Sequence, residues 1–366
     1  MALSGNKGEW SEVYTFLKLL ADGRLYAADA DLNKIENIYY PITKILKDET
    51  IGKLEYCIDS VIKVCCEDGR EILSLSIEDF KSQSIALLNK ITENKSKNGA
   101  FEIPDTIEFL KSIKITKLKA NSKEKRDITI MVHDINTGMD PILGFSIKSY
   151  LGDSSTIINA SGKTNFVFCI ENLENLTEVE INRINSLVDA RGRTDIKTRV
   201  KELNRLGCIL KYDNMDDNNF KQNLIMIDSL FPNIIGEVLK IYYIGKATTL
   251  SEIMEIVSNQ NPCSYDITGE HPFYEYKMKN YITDAALGMT PGAKWTGKYD
   301  ANGGYIIVKE DGELVCYHIY NRNEFQDYLI KNTKLETPSS SRHGFGSIYQ
   351  EEGRFYFKLN LQVRFI

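Results

Sequence analysis

The chain has 366 residues, 42% hydrophobic and 26% charged, and a net charge of −6, the profile of a soluble globular protein with one large domain or two ordinary ones. No run approaches the roughly 18 apolar residues of a membrane span, and MALSGNKGEWSE has no apolar signal-peptide core, so a cytoplasmic protein with no membrane partner is expected. Seven cysteines (57, 65, 66, 169, 208, 263, 316) without a C-x-x-C pair, and four scattered histidines, exclude a disulfide framework and argue against a zinc or histidine-built metal site.

Trp10, Val13, Tyr14, Leu17 and Leu20 recur at helical spacing, so the first element is an amphipathic helix ended by Gly23. Glu9 and Glu12 in its first turn suit the helix dipole; a carboxylate at a helix end can also be delivered to a metal. Residues 25–46 read as two short strands around Asn33-Lys34. Residues 71–91 run into a helix with Ser76 as N-cap, 94–99 as a loop, and Pro104-Asp105 starts another helix to about Ile113. From Lys111 to Arg126, seven basic residues face Glu124 alone.

Asp127-Ile-Thr-Ile-Met-Val-His alternates and is β-branched, Asn136-Thr137-Gly138 is a turn signal, and Pro141 to Tyr150 is a second strand, so this stretch predicts a β-hairpin. Strand periodicity puts Ser146 and Lys148 on one face and Phe145, Ile147 and Ser149 on the other. Asp127 and Lys148 can then meet on one side. A carboxylate opening one strand and a lysine on the next form the skeleton of a metal-dependent phosphodiesterase: the acid holds Mg²⁺, and metal and ammonium stabilise charge at the phosphate. Asp134 and Asp140 are rivals for the Asp127 role. Taken singly, each residue also reads as an ordinary strand-end Asp or solvated Lys.

Gly152 to Ser155 and residues 157–165 read as loop. Asn159, Ser161, Lys163 and Asn165 suit contacts to phosphates or base edges, or an ordinary polar turn. Residues 166–170 are a third strand, helices follow near 178–188 and 195–206, and 208–212 is a fourth strand, giving a mixed αβ core. Seven basic residues between Arg191 and Lys211 face Asp195 and Glu202. The two basic runs are either solvated faces or a phosphate-contacting cleft on an acidic body. Residues 218–240, 249–258 and 273–287 are helical, and Asn261-Pro262 is the expected domain boundary, separating 1–262 from 263–366. Beyond it lie a hairpin over 303–319 with an Asp311-Gly312 turn, a short helix at 324–330, an exposed loop carrying Arg342 and His343, and a final strand over 355–365. Arginine at a loop tip suits groove-edge readout.

Asn6-Lys-Gly-Glu-Trp-Ser-Glu12 with Leu25-Tyr-Ala-Ala-Asp29, Gly144-Phe-Ser-Ile-Lys-Ser149, Asn159-Ala-Ser161 with Thr164-Asn165-Phe166, Gly303-Gly304-Tyr305, Tyr317-His318, Ser341-Arg342-His343 and Leu359 to Phe365 resemble, in order, blocks of the HpaII-type restriction endonucleases. The resemblance implies an α/β (α+β) fold: a mixed-sheet PD-(D/E)XK nuclease core flanked by helices, with a C-terminal α+β DNA-recognition region. It implies a type II enzyme that cuts double-stranded DNA at a short palindrome such as CCGG, leaving 5′-phosphate ends. It further implies Mg²⁺, a homodimer or transient dimer, and a cognate DNA methyltransferase as genetic partner. Asp127 takes the first acid of the motif and Lys148 the lysine, with the Ile147 carbonyl a third metal contact. Ser146 stands where the motif carries Asp or Glu, and a hydroxyl is a poorer Mg²⁺ ligand. Lys7-Gly8 followed by Glu12 matches the spacing by which some nucleases of this superfamily supply that acid from the first helix, making Glu12 the expected replacement and Glu9 the second choice. A structure-specific repair nuclease on the same core and a DNA-binding protein with an inactive core are the alternatives.

Overall fold

The computed structural model of the chain describes residues 3–94, 99–118, 125–135 and 137–366. Asn136 of the expected turn, residues 95–98 of the expected loop, and Lys119, Lys123 and Glu124 of the first basic run lie outside the described residues. The chain is a mixed α/β protein that folds as two compact units, each discontinuous: residues 1–155 with 298–328, and 156–297 with 329–366.

Helix α1, Lys7–Asp22, opens the first unit. Asn6 and Glu9 close a capping box, and Gly23, at φ 65°, takes the left-handed C-cap, a conformation glycine adopts without steric cost. The predicted apolar stripe is the buried face. Strands β1 (Arg24–Ala28), β2 (Lys34–Glu49), β3 (Gly52–Ile58), β4 (Ile62–Cys66) and β5 (Glu71–Leu75) follow, then helices α2 (Ile77–Glu93, capped by Ser76) and α3 (Pro104–Ser112), and strands β6 (Ile128–Val132) and β7 (Ile142–Ser149). Two more strands, Gly304–Val308 and Leu314–His318, return much later in the chain.

All of these strands join one sheet in the order β1, 314–318, 304–308, β7, β6, β2, β3, β4, β5. β6 and β7 pair antiparallel, Ile128 opposite Phe145. On its other edge β7 pairs parallel with 304–308, Lys148 opposite Ile307. β7 is therefore central, and its buried run Gly144–Ile147 fits a strand covered on both faces. The first half of β2 also pairs with β1, so the pairings close a circuit from β1 back to β2. Trp10, Phe16, Leu17 and Leu20 of α1 pack with Ile45, Tyr56, Phe80, Ile130 and Ile306 in one core. Each such burial stabilises the unit by about 1.5–3 kcal/mol. β3 and β4 are strands that the residue pattern does not predict.

In the second unit, Ile209–Met215, Asn165–Glu171, Arg354–Asn360 and Ile348–Glu351 form an antiparallel sheet in that order, and Thr333–Leu335, Val363–Phe365 and Thr156–Ile158 form another. The expected single strand over 355–365 is thus two strands in two sheets. The break falls at Leu361, whose N–H donates to Thr164 O at 3.0 Å. Helices 178–186, 196–205, 218–225, 231–244, 250–260 and 273–287 surround these sheets. Asn261 is the left-handed C-cap of the helix Leu250–Gln260 and lies inside this unit. Among the described residues no helix is long and apolar enough to cross a membrane.

Candidate active site

Asp127 sits immediately before β6. Its N–H donates to Phe145 O at 2.8 Å, which fixes it at the mouth of the hairpin. Its Oδ2 accepts the Ser146 hydroxyl at 2.9 Å and the Ile147 N–H at 2.7 Å. Ser146 therefore orients the neighbouring carboxylate. Because the N–H and C=O of one residue leave a strand on the same edge, the Ile147 carbonyl emerges on the Asp127 side, past the point where β6 ends.

Helix α1 brings the second carboxyl. Ser11 Oγ lies 2.8 Å from Ser149 Oγ, pinning α1 to β7 one residue away from both Glu12 and Lys148. The Glu12 carboxyl is pushed up to about 8, first by burial and next by the charge of Asp127; Lys47 and Lys148 oppose the rise and Glu9 adds to it. Glu9 is spent on the helix cap: its Oε2 accepts Asn6 N–H at 2.9 Å. Of the two candidates on α1, Glu12 is the one beside Asp127. The ammonium of Lys148 lies 5.3 Å from the centre of the Tyr305 ring, a cation–π distance. Burial, and then the Asp127 charge, push the Tyr305 phenol up.

Two lysines beyond the expected site residues join the cluster. Lys125 is pulled down to about 8 by burial and by Lys148, while Asp127 and Asp300 oppose the fall. Its backbone N–H donates to Asp300 Oδ2 at 3.3 Å. Lys47 of β2 lies 5.0 Å from the Phe16 ring and is pulled down by burial, with Glu49 and Glu12 opposing. Lys125 belongs to the basic run and stands two residues before Asp127, a usable signal. Lys47 sits in a strand with no local mark.

The hairpin needs glycine where backbones meet. A Cβ on Gly144 would lie 2.7 Å from Asp300 O, and one on Gly304 (φ 108°) 2.0 Å from Tyr317 O. The first contact packs residue 300 against β7 and the second packs 304–308 against 314–318, while the parallel pairing of 304–308 with β7 sets Tyr305 opposite Ser146.

The rivals lie elsewhere. Asp134 is about 20 Å from Asp127 along an extended strand; its carboxylate accepts Tyr320 OH at 3.2 Å. Asp140 pairs with His133 at 3.0 Å. Burial pulls the imidazole of His318 down to about 4, against the pull of Asp134.

Among the described residues no three His, Cys, Asp or Glu side chains are arranged to hold a metal. The donor set at β7 is two carboxylates, Asp127 and Glu12, and the Ile147 carbonyl. That set fits Mg²⁺, which binds through one or two carboxylates and fills its remaining positions with water and substrate phosphate.

The expected nucleic-acid residues are in the second unit. Asn159 and Lys163 are exposed, and the Lys163 ammonium donates to Gly292 O at 3.3 Å. Ser161 Oγ caps a short 3-10 turn, accepting Lys163 N–H at 3.2 Å. Asn165 is withdrawn from the surface, 2% exposed: its amide donates to Asp216 and to the His343 carbonyl. Arg342 is exposed in the helical turn Ser340–His343. Beside that turn is a cavity of about 410 Å³ lined by Ser340, Ser341, Ser347, Tyr349 and Lys358, among others. Much of the second basic run supports structure. Arg199, 3% exposed, holds Gly346 O, Leu187 O and Asn185 O, while Arg193 and Arg205 pair with Asp189 and Glu202.

A family model described as HpaII restriction endonuclease matches residues 6–365. The type II restriction enzyme HpaII of Haemophilus parainfluenzae is 45% identical over 364 residues, covering 99% of each chain. No solved structure matches at a significant level.

Proposed function

The chain belongs to the HpaII restriction endonuclease family, and so is a type II site-specific deoxyribonuclease; on that footing we propose that the Glu12–Asp127–Lys148 cluster hydrolyses duplex DNA with Mg²⁺ on a PD-(D/E)XK core. The observation that carries the assignment is Glu12, a carboxyl raised to about 8 beside Asp127 at the edge of β7. A carboxyl held protonated by burial and by a neighbouring carboxylate, next to a lysine, fits a site meant for a cation and a phosphate.

Asp127, Glu12 and the Ile147 carbonyl are the proposed Mg²⁺ ligands. Bound there, the ion supplies positive charge to the phosphate and favours ionisation of water. Ser146 and the Ile147 N–H hold Asp127 in one orientation, so that little reorganisation accompanies the reaction. Lys148, kept in place by Tyr305, orients the attacking water and offsets charge as it develops on the phosphate oxygens. Attack opens the P–O3′ bond and leaves a 5′-phosphate and a 3′-hydroxyl.

We assign cutting to the first unit and sequence readout to the second, through the 159–164 loop and the Arg342 turn. A palindrome mirrors a two-fold axis, so a homodimer, or two monomers acting in turn, serves the two strands. CCGG is the proposed site, and a cognate methyltransferase would protect it in the host.

The test is digestion of fully sequenced phage DNA with and without Mg²⁺, followed by sequencing of the fragment ends. Discrete Mg²⁺-dependent fragments sharing one palindrome are expected. Smearing without a motif would mean a structure-specific nuclease, and binding without cutting under any divalent metal would mean an inactive core.

A further inference from the structure

We propose that Asn165 and Asn360 are positioning residues for sequence readout, fastening the 159–164 loop and the Ser340–His343 turn into one rigid element that presents Arg342. The inference rests on the reading above, in which these two segments meet DNA.

The two asparagines are 2% and 1% exposed, and their side-chain groups are all engaged. Asn165 Nδ2 donates to Asp216 Oδ2 at 3.0 Å and to His343 O at 2.8 Å. Asn165 Oδ1 accepts Asn360 Nδ2 at 2.7 Å. Asn360 Nδ2 also donates to Ser161 O at 2.7 Å, and Asn360 Oδ1 accepts Thr164 Oγ1 at 3.2 Å. Strand pairing sets the two side by side, Asn360 opposite Asn165. Both amide groups are therefore satisfied, and every bond has a direction. A buried network of this kind specifies one backbone arrangement, where apolar packing would fill volume alone.

What the network fixes is the direction of two surface segments. Ser161 O and Thr164 belong to the first, and His343 O to the second. Arg199 holds the far side of the turn through Gly346 O and Ser347 Oγ at 2.8 and 2.9 Å. Phe345 behind the turn is buried. At its tip, Arg342 is exposed and has no ion pair or hydrogen bond among the described residues, so its guanidinium is available to an acceptor outside the chain. A guanidinium meets the two acceptors of a guanine edge only if its Cα is held to within a fraction of an ångström. The buried asparagines supply that constraint, and they connect segments 178 and 195 residues apart in sequence.

The experiment compares Asn165→Asp, Asn360→Ala and Arg342→Ala with the wild-type chain. Each digests sequenced phage DNA with Mg²⁺ at a temperature below the lowest Tm of the four. The readout is the ratio of fragment ends at the wild-type motif to ends at its single-base variants. All three variants are expected to lower that ratio by about tenfold or more, the discrimination one bidentate base contact supplies. The salt slope of binding to non-cognate DNA should stay unchanged for the two asparagine variants. If Arg342→Ala lowers the ratio and both asparagine variants retain it, the positioning role is wrong. If the asparagine variants lose Tm and overall rate with the ratio intact, the network is structural only, and the proposal fails as well. If Arg342→Ala itself retains the ratio, the fault lies with the reading of this turn as a DNA contact.

Discussion

Glu12→Gln should inactivate the enzyme and, without metal, make it more stable at alkaline pH. The wild-type carboxyl titrates near 8 in the folded chain, against an ordinary value of 4.5. Between those limits the native state holds a proton that the unfolded chain has released. Native stability is therefore highest below pH 4.5 with respect to this group and falls as pH rises towards 8. At about 1.4 kcal/mol per unit, the shift sets an upper limit of about 5 kcal/mol. Glu12 is only half-buried, so solvent screening brings the expected effect down to about 1–3 kcal/mol.

Glutamine has the shape of glutamate and does not titrate. In EDTA, the Tm of Glu12→Gln and wild type should coincide near pH 4.5 and diverge steadily to pH 8.5, the variant being higher. A unit of 150–250 residues gains roughly 2–4 °C per kcal/mol, well within the reach of calorimetry. Added Mg²⁺ should narrow the gap by stabilising the wild-type chain alone, since binding to the native state adds stability. Parallel Tm–pH curves for the two proteins, or an equal rise of both with Mg²⁺, would refute the placement of Glu12 against Asp127 and its role as a ligand.

Asp127→Ala and Lys148→Ala should each cut cleavage by at least about 10²-fold while leaving DNA binding in EDTA within a few-fold, checked by single-turnover kinetics and a binding isotherm. Ser146→Ala removes one of the two donors on Asp127; losing a bond to a charged group costs about 1.5–3 kcal/mol, so kcat should fall roughly 10- to 100-fold with little change in KM. A kcat within twofold of wild type would show that Ser146 does not orient Asp127. Gly304→Ala would push a methyl to 2.0 Å from Tyr317 O at φ 108°; urea unfolding should show a loss of more than about 3 kcal/mol, and a loss under 1 kcal/mol would contradict the close approach of 304–308 to its neighbour.

Features set by near neighbours in the chain are legible in the sequence. The α1 stripe, its Gly23 cap, the Ser76 cap and the β6–β7 hairpin with Asp127 beside Ser146 all depend on residues fewer than about 25 apart. So does Lys148, which the two-residue strand period places; Glu12 is indicated by the family resemblance alone, and what sets it beside Asp127 is the distant packing of α1 on β7, Ser11 against Ser149. The features that escape depend on distant partners. β3 and β4 carry weak alternation and are held by the sheet around them. Leu359 to Phe365 reads as one strand until Thr164, nearly two hundred residues earlier, claims the Leu361 N–H. Asn165 reads as a DNA contact because a polar residue in a Ser/Asn-rich stretch is usually exposed. Its burial depends on Asp216, His343 and Asn360, none of them local. Lys47 has the same character: nothing in IYYPITKILKDE marks the lysine whose charge reaches α1.

Lys47 and Lys125 change the electrostatics around Ser146. With a second acid at that position, two carboxylates would share one strand and hairpin, and their repulsion would fall on β7 itself. On the proposed assignment the second acid comes from α1, and the Ser146 hydroxyl donates to Asp127 where a carboxylate would repel it. Lys47 faces the Glu12 side of the cluster and Lys125 the Asp127 side, so each acid has its own cation in addition to Lys148. Burial pulls both of these lysines down, which tempers the field they create. On the proposed assignment, the metal-free site sets two carboxyls, one of them raised to about 8, beside three lysines, a set with little net negative charge to oppose an approaching phosphodiester. The departure at Ser146 is then a relocation of charge from sheet to helix, which is why Glu12, far from the motif in sequence, is the residue on which the assignment stands or falls.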